Sequence, residues 1–182
     1  GRRIVVTAGG TREPLDPVRF IGNRSSGKQG VAIAAAAARR GADVTLIAAN
    51  LDVAAPSSVA LIAVGSTAEL ADATAAAAPT ADVIVMAAAV SDYRPESVAQ
   101  TKIKKDQHPD VLELRLVKNP DILRSLVDAR RSGQILIGFA AETENVIESA
   151  KAKRRAKGAD WIVANAVSPA AAVFGGERNA VH

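Results

Sequence analysis

Residues 4–10, I-V-V-T-A-G-G, set the fold class. A short β-branched run from Ile4 to Ala8 ends in the glycine pair Gly9 and Gly10, and the Ala-rich stretch from Gly30 to Arg40 closes at Gly41. That order reads as strand, long loop, helix. Outward from it, Asp43 to Ala48 and Val59 to Val64 are apolar runs of strand length. Thr67 to Ala78 is helical with Ser66 or Thr67 as cap, and Asp82 to Ala88 is a further buried strand.

Beyond Asp92 the pattern changes. Thr101 to Lys105 and Val111 to Val117 alternate charged and apolar residues around a polar turn, which predicts an exposed β-hairpin flap spanning about 99–117. Pro120 to Arg131 then reads as a helix capped by Asn119, with Pro120 in its first turn. Gln134 to Ala140 is a strand, Glu144 to Lys157 a helix and Trp161 to Ala164 a final strand. Strands that are apolar throughout and separated by helices imply a parallel sheet covered on both faces. The expected architecture is α/β: a Rossmann-like three-layer sandwich with a mostly parallel sheet and a hairpin flap. In such sheets ligands bind past the carboxyl ends of the strands. The informative segments are therefore Thr7 to Asn23, Ala89 to Lys105, Lys118 to Asp121, Phe139 to Thr143, and Asn165.

Composition narrows the function. The chain has 182 residues, 48% of them hydrophobic, enough for one sizeable core and a single domain over 1–182. Its 23 Lys and Arg exceed its 19 Asp and Glu by four, a modest basic excess that suits anionic small molecules. Aromatic residues make up 3%, too few for the stacking platforms of a nucleic-acid binder. There is no Cys, and the His residues are His108 and His182, which removes disulfides, thiol nucleophiles and a Cys/His zinc site. A metal would need oxygen ligands. No apolar run approaches the roughly 20 residues of a membrane helix, so the expected location is cytoplasmic, without membrane contact.

Two motifs point elsewhere at first sight. G-N-R-S-S-G-K-Q, Gly22 to Gln29, approximates a P-loop, but Gln29 stands where a Ser or Thr hydroxyl must reach magnesium, and the segment follows a loop instead of a strand. Backbone N–H groups of Ser25, Ser26 and Gly27 at a helix start still suit an anion. T-A-G-G-T-R-E, Thr7 to Glu13, lacks the G-x-G-x-x-G spacing of a dinucleotide site, and the second strand ends in Ala48, Ala49 and Asn50 where an acid would meet the ribose. A Rossmann-type oxidoreductase remains the alternative, with a non-catalytic nucleotide-binding domain as a third reading.

Seven blocks taken in order carry a more specific signal. They are T-A-G-G-T-R-E-x-x-D-x-V-R (Thr7 to Arg19), G-N-R-S-S-G (Gly22 to Gly27), A-A-V-S-D-Y (Ala88 to Tyr93), K-I-K-K (Lys102 to Lys105), V-K-N-P-D-I (Val117 to Ile122), G-F-A-A-E-T (Gly138 to Thr143) and V-A-N (Val163 to Asn165). Together they resemble the bacterial phosphopantothenate–cysteine ligase family. The resemblance implies a ligase of coenzyme A biosynthesis. CTP would activate the carboxylate of 4'-phosphopantothenate as an acyl-cytidylate, releasing pyrophosphate, and cysteine would then displace CMP. It implies Asn23 and Lys102 as catalytic residues and Asn23, Ser25 and Ala89 against the acyl substrate. For the nucleotide it implies Gly9, Gly10, Ser26, Gly27, Ala88, Asp92, Lys102, Lys118, Asn119, Pro120, Asp121, Ile122, Phe139, Lys153 and Lys157. Phe139 can equally be core, and capping alone accounts for Asn119 and Asp121. Magnesium is expected with the triphosphate, with Asp121 as a ligand, and a homodimer contact near Arg19 and Phe20. A flavin-dependent decarboxylase is expected ahead of Gly1, with FMN confined to it, and a further C-terminal segment beyond His182.

Overall fold

The computed structural model describes residues 1–105, 110–142, 144–166 and 181. In chain order the elements are β1 (Arg3–Gly9), β2 (Arg12–Pro14), β3 (Phe20–Gly22), α1 (Lys28–Arg39), β4 (Asp43–Ala49), β5 (Ala60–Val64), α2 (Thr67–Ala77), β6 (Val83–Met86), β7 (Tyr93–Pro95), β8 (Leu116–Lys118), α3 (Ile122–Asp128), β9 (Ile135–Glu142), α4 (Val146–Lys157) and β10 (Trp161–Ala166). A 3-10 turn, Ala78–Thr80, follows α2.

Six strands form one parallel sheet in the order β10-β9-β6-β1-β4-β5. Taken as the first to sixth strands of the sheet, this is the doubly wound order 3-2-1-4-5-6, and the direction of winding reverses between β1 and β6. The two reversing strands pair directly, Ile4 opposite Val83 through Thr7 opposite Met86. Their carboxyl ends diverge into separate loops, leaving the crevice in which such sheets hold ligands.

Alternation along the strands sorts the core into two layers. Val5, Ile47, Ile84 and Leu136 face α2 and α3 through Leu70, Ile122, Leu123 and Leu126. Val6, Ala8, Val44, Leu46 and Val85 face α1 through Ala34, with Val31, Ile33 and Ala37 around it. A smaller cluster, Ala140, Ala150 and Ala164, seats α4. Helices thus cover both faces, as the apolar strands require.

Ser66, one of the two expected caps, starts α2 in a reciprocal box with Glu69. Other boundaries depart from expectation for identifiable reasons. Asn119 does not cap α3: its amide donates to the Ser91 carbonyl at 2.8 Å, and Asp121 caps instead by accepting from the Arg124 N–H at 3.1 Å. That helix is shorter than expected, ending at Asp128. The flap is not the hairpin the alternation predicts. Its ladder joins β7 to β8, Tyr93 opposite Lys118, and Thr101 to Lys105 form no strand. Both backbone polar groups of Ile103 are already bonded, its N–H to Asp16 and its carbonyl to Arg19, so neither is left for a ladder. Residues 106–109 of the expected turn lie outside the described residues.

Candidate active site

The loop after β1 and the loop after β6 are stitched together past the sheet. Ala89 N–H donates to the Gly9 carbonyl at 2.8 Å, Thr11 N–H to the Ala89 carbonyl at 3.1 Å, and Gly10 N–H to the Ala49 carbonyl at 2.8 Å. Asn50, at positive φ beyond β4, donates to the carbonyls of Gly10 and Gly65, each at 2.9 Å. The position where a ribose-binding acid was sought is thus a structural amide.

Two glycines are demanded by this packing. Gly9 has φ +87°, and a Cβ there would lie 1.9 Å from the Ala49 carbonyl oxygen. Gly27, at the start of α1, has φ +79°, and its Cβ would meet Leu51 at 2.2 Å and the Gly9 nitrogen at 3.2 Å. The backbone of the first loop and the start of α1 are therefore in van der Waals contact. Such close backbone approach at a helix start leaves N–H groups for an anion. Gly27 N–H and Lys28 N–H approach the Ser25 and Ser26 hydroxyls at 3.3 and 3.4 Å.

The short antiparallel pair of β2 and β3, Arg12 opposite Gly22, was not anticipated in the sequence. It carries Asn23 to the crevice, where the Asn23 amide donates to the Val90 carbonyl at 2.9 Å. That bond leaves the side-chain oxygen and a second N–H of Asn23 for a ligand. Beneath it runs a buried polar chain. Glu13 Oε1 accepts from the Thr67 N–H at 3.0 Å and from its hydroxyl at 2.6 Å. The Thr67 hydroxyl lies 3.0 Å from that of Thr11, which accepts from Ser91 N–H at 2.9 Å. Glu13, Thr11, Thr67 and Ser91 are all buried. The carboxylate also stands at the first turn of α2, where the helix dipole favours it.

From Ser91 the connections pass to the third wall. The Ser91 carbonyl accepts from Asn119, whose own N–H donates to the Asp92 carbonyl at 2.8 Å. Arg94 binds the Lys118 carbonyl at 2.8 Å and the Asn119 side chain at 3.2 Å. Asp121 accepts an ion-paired hydrogen bond from Lys157. Burial by itself raises the Asp121 carboxyl, but Lys157, the Arg124 N–H and Lys153 outweigh it and hold the group below the ordinary carboxylate range. Lys153 donates to the Phe139 carbonyl at 2.8 Å.

Most of the expected residues are thus brought to one rim. Gly9, Gly10, Ala88, Ala89, Asn23, Ser25, Ser26 and Gly27 line the crevice between β1 and β6. Asp92, just before β7, adjoins the β8–α3 connection, which runs from Lys118 through Asn119, Pro120 and Asp121 to Ile122, the last buried as a core anchor. Lys153 and Lys157 do share a helical face, but each is held by a protein partner, Phe139 and Asp121 respectively. Phe139 packs in the α1-side core with Val85. Lys102 is exposed on the flap.

The donor set does not suit a resident metal. Among the described residues no three Asp, Glu, His or Cys side chains converge, and both oxygens of Asp121 are committed to Lys157 and Arg124. A cavity of 690 Å³ bounded by Arg130, Lys151, Arg154, Arg155, Asp160 and Trp161 opens where β10 begins. That is the opposite end of the sheet from the loops above, so it is no part of this site. Among the described residues, no helix is long and apolar enough to cross a membrane.

The family model for the DNA/pantothenate metabolism flavoprotein C-terminal domain matches residues 1–182. A protein of Mycobacterium tuberculosis named coenzyme A biosynthesis bifunctional protein CoaBC is 54% identical over 178 residues, covering 92% of this chain and 42% of the relative. The protein of that name from Escherichia coli is 46% identical over 180 residues, covering 98% and 44%. The chain therefore spans less than half the length of these relatives. Among solved structures, the C-terminal domain of a CoaBC protein superposes with a TM-score of 0.79 at 42% identity, covering 91% of this chain and 77% of that one. A Streptococcus pneumoniae DNA/pantothenate metabolism flavoprotein gives 0.79 at 25% identity, covering 93% and 85%. Matched along its whole length and more than half identical to the mycobacterial protein, the chain belongs to the family of DNA/pantothenate metabolism flavoprotein C-terminal domains.

Proposed function

We propose that the chain is the phosphopantothenate–cysteine ligase domain of a bifunctional coenzyme A biosynthesis protein. The observation that carries the reading is the meeting of Gly9 to Thr11, Asn23 to Gly27, Ala88 to Asp92 and Asn119 at the switch-point crevice. A carboxylate is a poor electrophile, so its oxygen must first become a leaving group. The phosphopantothenate carboxylate oxygen attacks the α-phosphorus of CTP, and the bond to the bridging oxygen breaks as pyrophosphate departs. The cysteine amine then attacks the acyl carbon, CMP leaves with the carboxylate oxygen, and the amine loses a proton.

Negative charge grows on phosphate oxygen in the first step and on the carbonyl oxygen in the second. Fixed N–H donors and cations serve both. In this reading the N–H groups at the start of α1 take phosphate oxygens, the free N–H of Asn23 takes the acyl oxygen, and Lys102 adds a point charge from the flap. Asp92 and Asn119 border the nucleotide, and Lys118, Lys153 and Lys157 add positive potential around it. Magnesium enters only as the counter-ion of the triphosphate, and no step is assigned to it.

We assign CTP as the nucleotide, a single domain over 1–182, a cytoplasmic setting, and a homodimer through the surface bearing Arg19 and Phe20. Exposed Val18, Phe20 and Tyr93 support that last assignment. A flavin-dependent decarboxylase region holding FMN is proposed for the remainder of the polypeptide; the bifunctional names of the relatives support it.

The test is pyrophosphate release with phosphopantothenate and each of CTP, ATP, GTP and UTP, without and then with cysteine. Release with CTP, followed by amide and CMP once cysteine is added, is expected. A folded protein that releases nothing with any of the four overturns the ligase reading.

A further inference from the structure

Asp16 is a buried carboxylate outside the crevice, and its side chain has no exposed surface. Its Oδ1 accepts from the N–H groups of Val18 and Arg19, each at 2.8 Å, closing the loop between β2 and β3. Its Oδ2 accepts from the Ile103 N–H at 3.1 Å, 87 residues away, and Arg19 Nη1 lies 3.5 Å from the same oxygen. The other terminal nitrogen of Arg19 donates to the Ile103 carbonyl at 2.8 Å. One acid and one guanidinium therefore hold both backbone polar groups of a single flap residue. A second stitch, Ala99 N–H to the Leu15 carbonyl at 2.9 Å, lies on the same side.

This clamp joins two parts of the site. The hairpin it belongs to is continuous with Thr11 at one end and Asn23 at the other, and Arg12 N–H is tied to Gly65. The flap residue next to Ile103 is Lys102, whose side chain makes no hydrogen bond or ion pair among the described residues. The location of Lys102 is therefore set through its neighbour's backbone. We infer that Asp16 is a positioning residue that fixes Lys102 relative to Asn23 by gripping the Ile103 peptide; the inference rests on the catalytic reading of Lys102 above.

Burial alone raises the Asp16 carboxyl, yet the Ile103, Val18 and Arg19 N–H groups and the Arg19 charge hold it below the ordinary range, so the acceptor is ionised at neutral pH. The variant Asp16→Asn replaces one acceptor oxygen with an N–H₂ donor. Whichever way the amide turns, it opposes either the Ile103 N–H or the Val18 and Arg19 pair. A reacting group displaced by about 1 Å loses on the order of 10²-fold in rate.

The experiment compares wild type, D16N, K102Q and the double variant in CTP-dependent pyrophosphate release, with amide hydrogen exchange at Ile103 followed in wild type and D16N. We expect D16N to lower kcat about 10- to 100-fold with less than about a threefold change in KM for CTP. The Ile103 amide should exchange at least about tenfold faster. In the K102Q background D16N should add less than about a twofold loss, because the two act through one group. Ile103→Pro, which removes the donor from the flap side, is expected to reproduce the kcat loss, and it decides the matter if D16N gives no cooperative melting transition. Equal loss from D16N in both backgrounds, or undiminished turnover in D16N and I103P while K102Q is impaired, overturns the positioning role alone. Wild-type turnover by K102Q overturns the reading of Lys102 and the inference with it.

Discussion

Replacing Glu13 by Ala tests whether the buried polar chain holds the site loops together. Glu13 is 2% exposed, and Oε1 takes both Thr67 bonds, at 3.0 Å from nitrogen and 2.6 Å from the hydroxyl. Truncation orphans the Thr67 N–H and takes the shorter of two partners from the Thr67 hydroxyl, which keeps Thr11 at 3.0 Å; both lost bonds run to the Glu13 carboxylate. At about 1.5–3 kcal/mol per such bond, with partial rescue by water entering the gap, the loss is about 3 kcal/mol. For a chain of this size that lowers Tm by about 6–12 °C. Gln at position 13 retains an oxygen at Oε1 and both bonds, so E13Q should lose only about 1 kcal/mol. Thermal melts followed by circular dichroism, with urea titrations for the free energies, resolve the difference. An E13A protein within about 1 kcal/mol of wild type, or an E13Q protein as unstable as E13A, would refute the claim that these acceptor contacts matter.

Gly27→Ala sets a side chain at φ +79° and 2.2 Å from Leu51. A loss of about 2–4 kcal/mol and a nucleotide KM raised at least tenfold are expected from urea titration and kinetics. Asn23→Ala removes the donor assigned to the acyl oxygen and the 2.9 Å bond to Val90; kcat should fall about 10²-fold with Tm within a few degrees of wild type. The pH dependence has a definite sign. Asp82, bonded to the Arg3 N–H at 2.8 Å, and Asp16 both titrate below the ordinary 3.8 in the folded chain. Their stabilisation is complete above the unfolded value and vanishes as pH falls through the lower folded values. Tm should therefore hold from pH 7 to about 4.5 and drop below about 4, less steeply in D82N; a drop centred near pH 6 would contradict this.

The sheet was legible because its strands are short apolar runs punctuated by Gly and helix caps, and those local signals agree with the tertiary arrangement. The crevice followed from strand polarity, so the segments holding Gly9, Gly10, Ala89 and Asn119 could be placed before any contact was known, while Ala88 came only from the family resemblance. What escaped is held by non-local bonds. The β2–β3 pair, Arg12–Pro14 against Phe20–Gly22, is too short to show alternation, and the turn that joins its strands is closed by Asp16, which accepts from the Val18 and Arg19 N–H groups. Asn119 looks like a helix cap beside Pro120, but its amide goes to Ser91, 28 residues back. The alternation of Lys and Ile at 102–105 resembles a strand only while the demand of Asp16 and Arg19 on Ile103 is unknown. Thr11 and Ser91 fall inside recognisable blocks and Thr67 reads as a helix cap, but the buried chain that joins them to Glu13 runs across 54 to 80 residues of sequence and leaves no local pattern.

The acyl-nucleotidylate is the central claim, and oxygen transfer tests it most directly. Phosphopantothenate carrying ¹⁸O in its carboxylate, incubated with CTP and cysteine, should deliver one labelled oxygen to CMP, because the attacking carboxylate oxygen stays on phosphorus when the amide forms. Label in pyrophosphate or inorganic phosphate, or unlabelled CMP beside a formed amide, would contradict attack at the α-phosphorus.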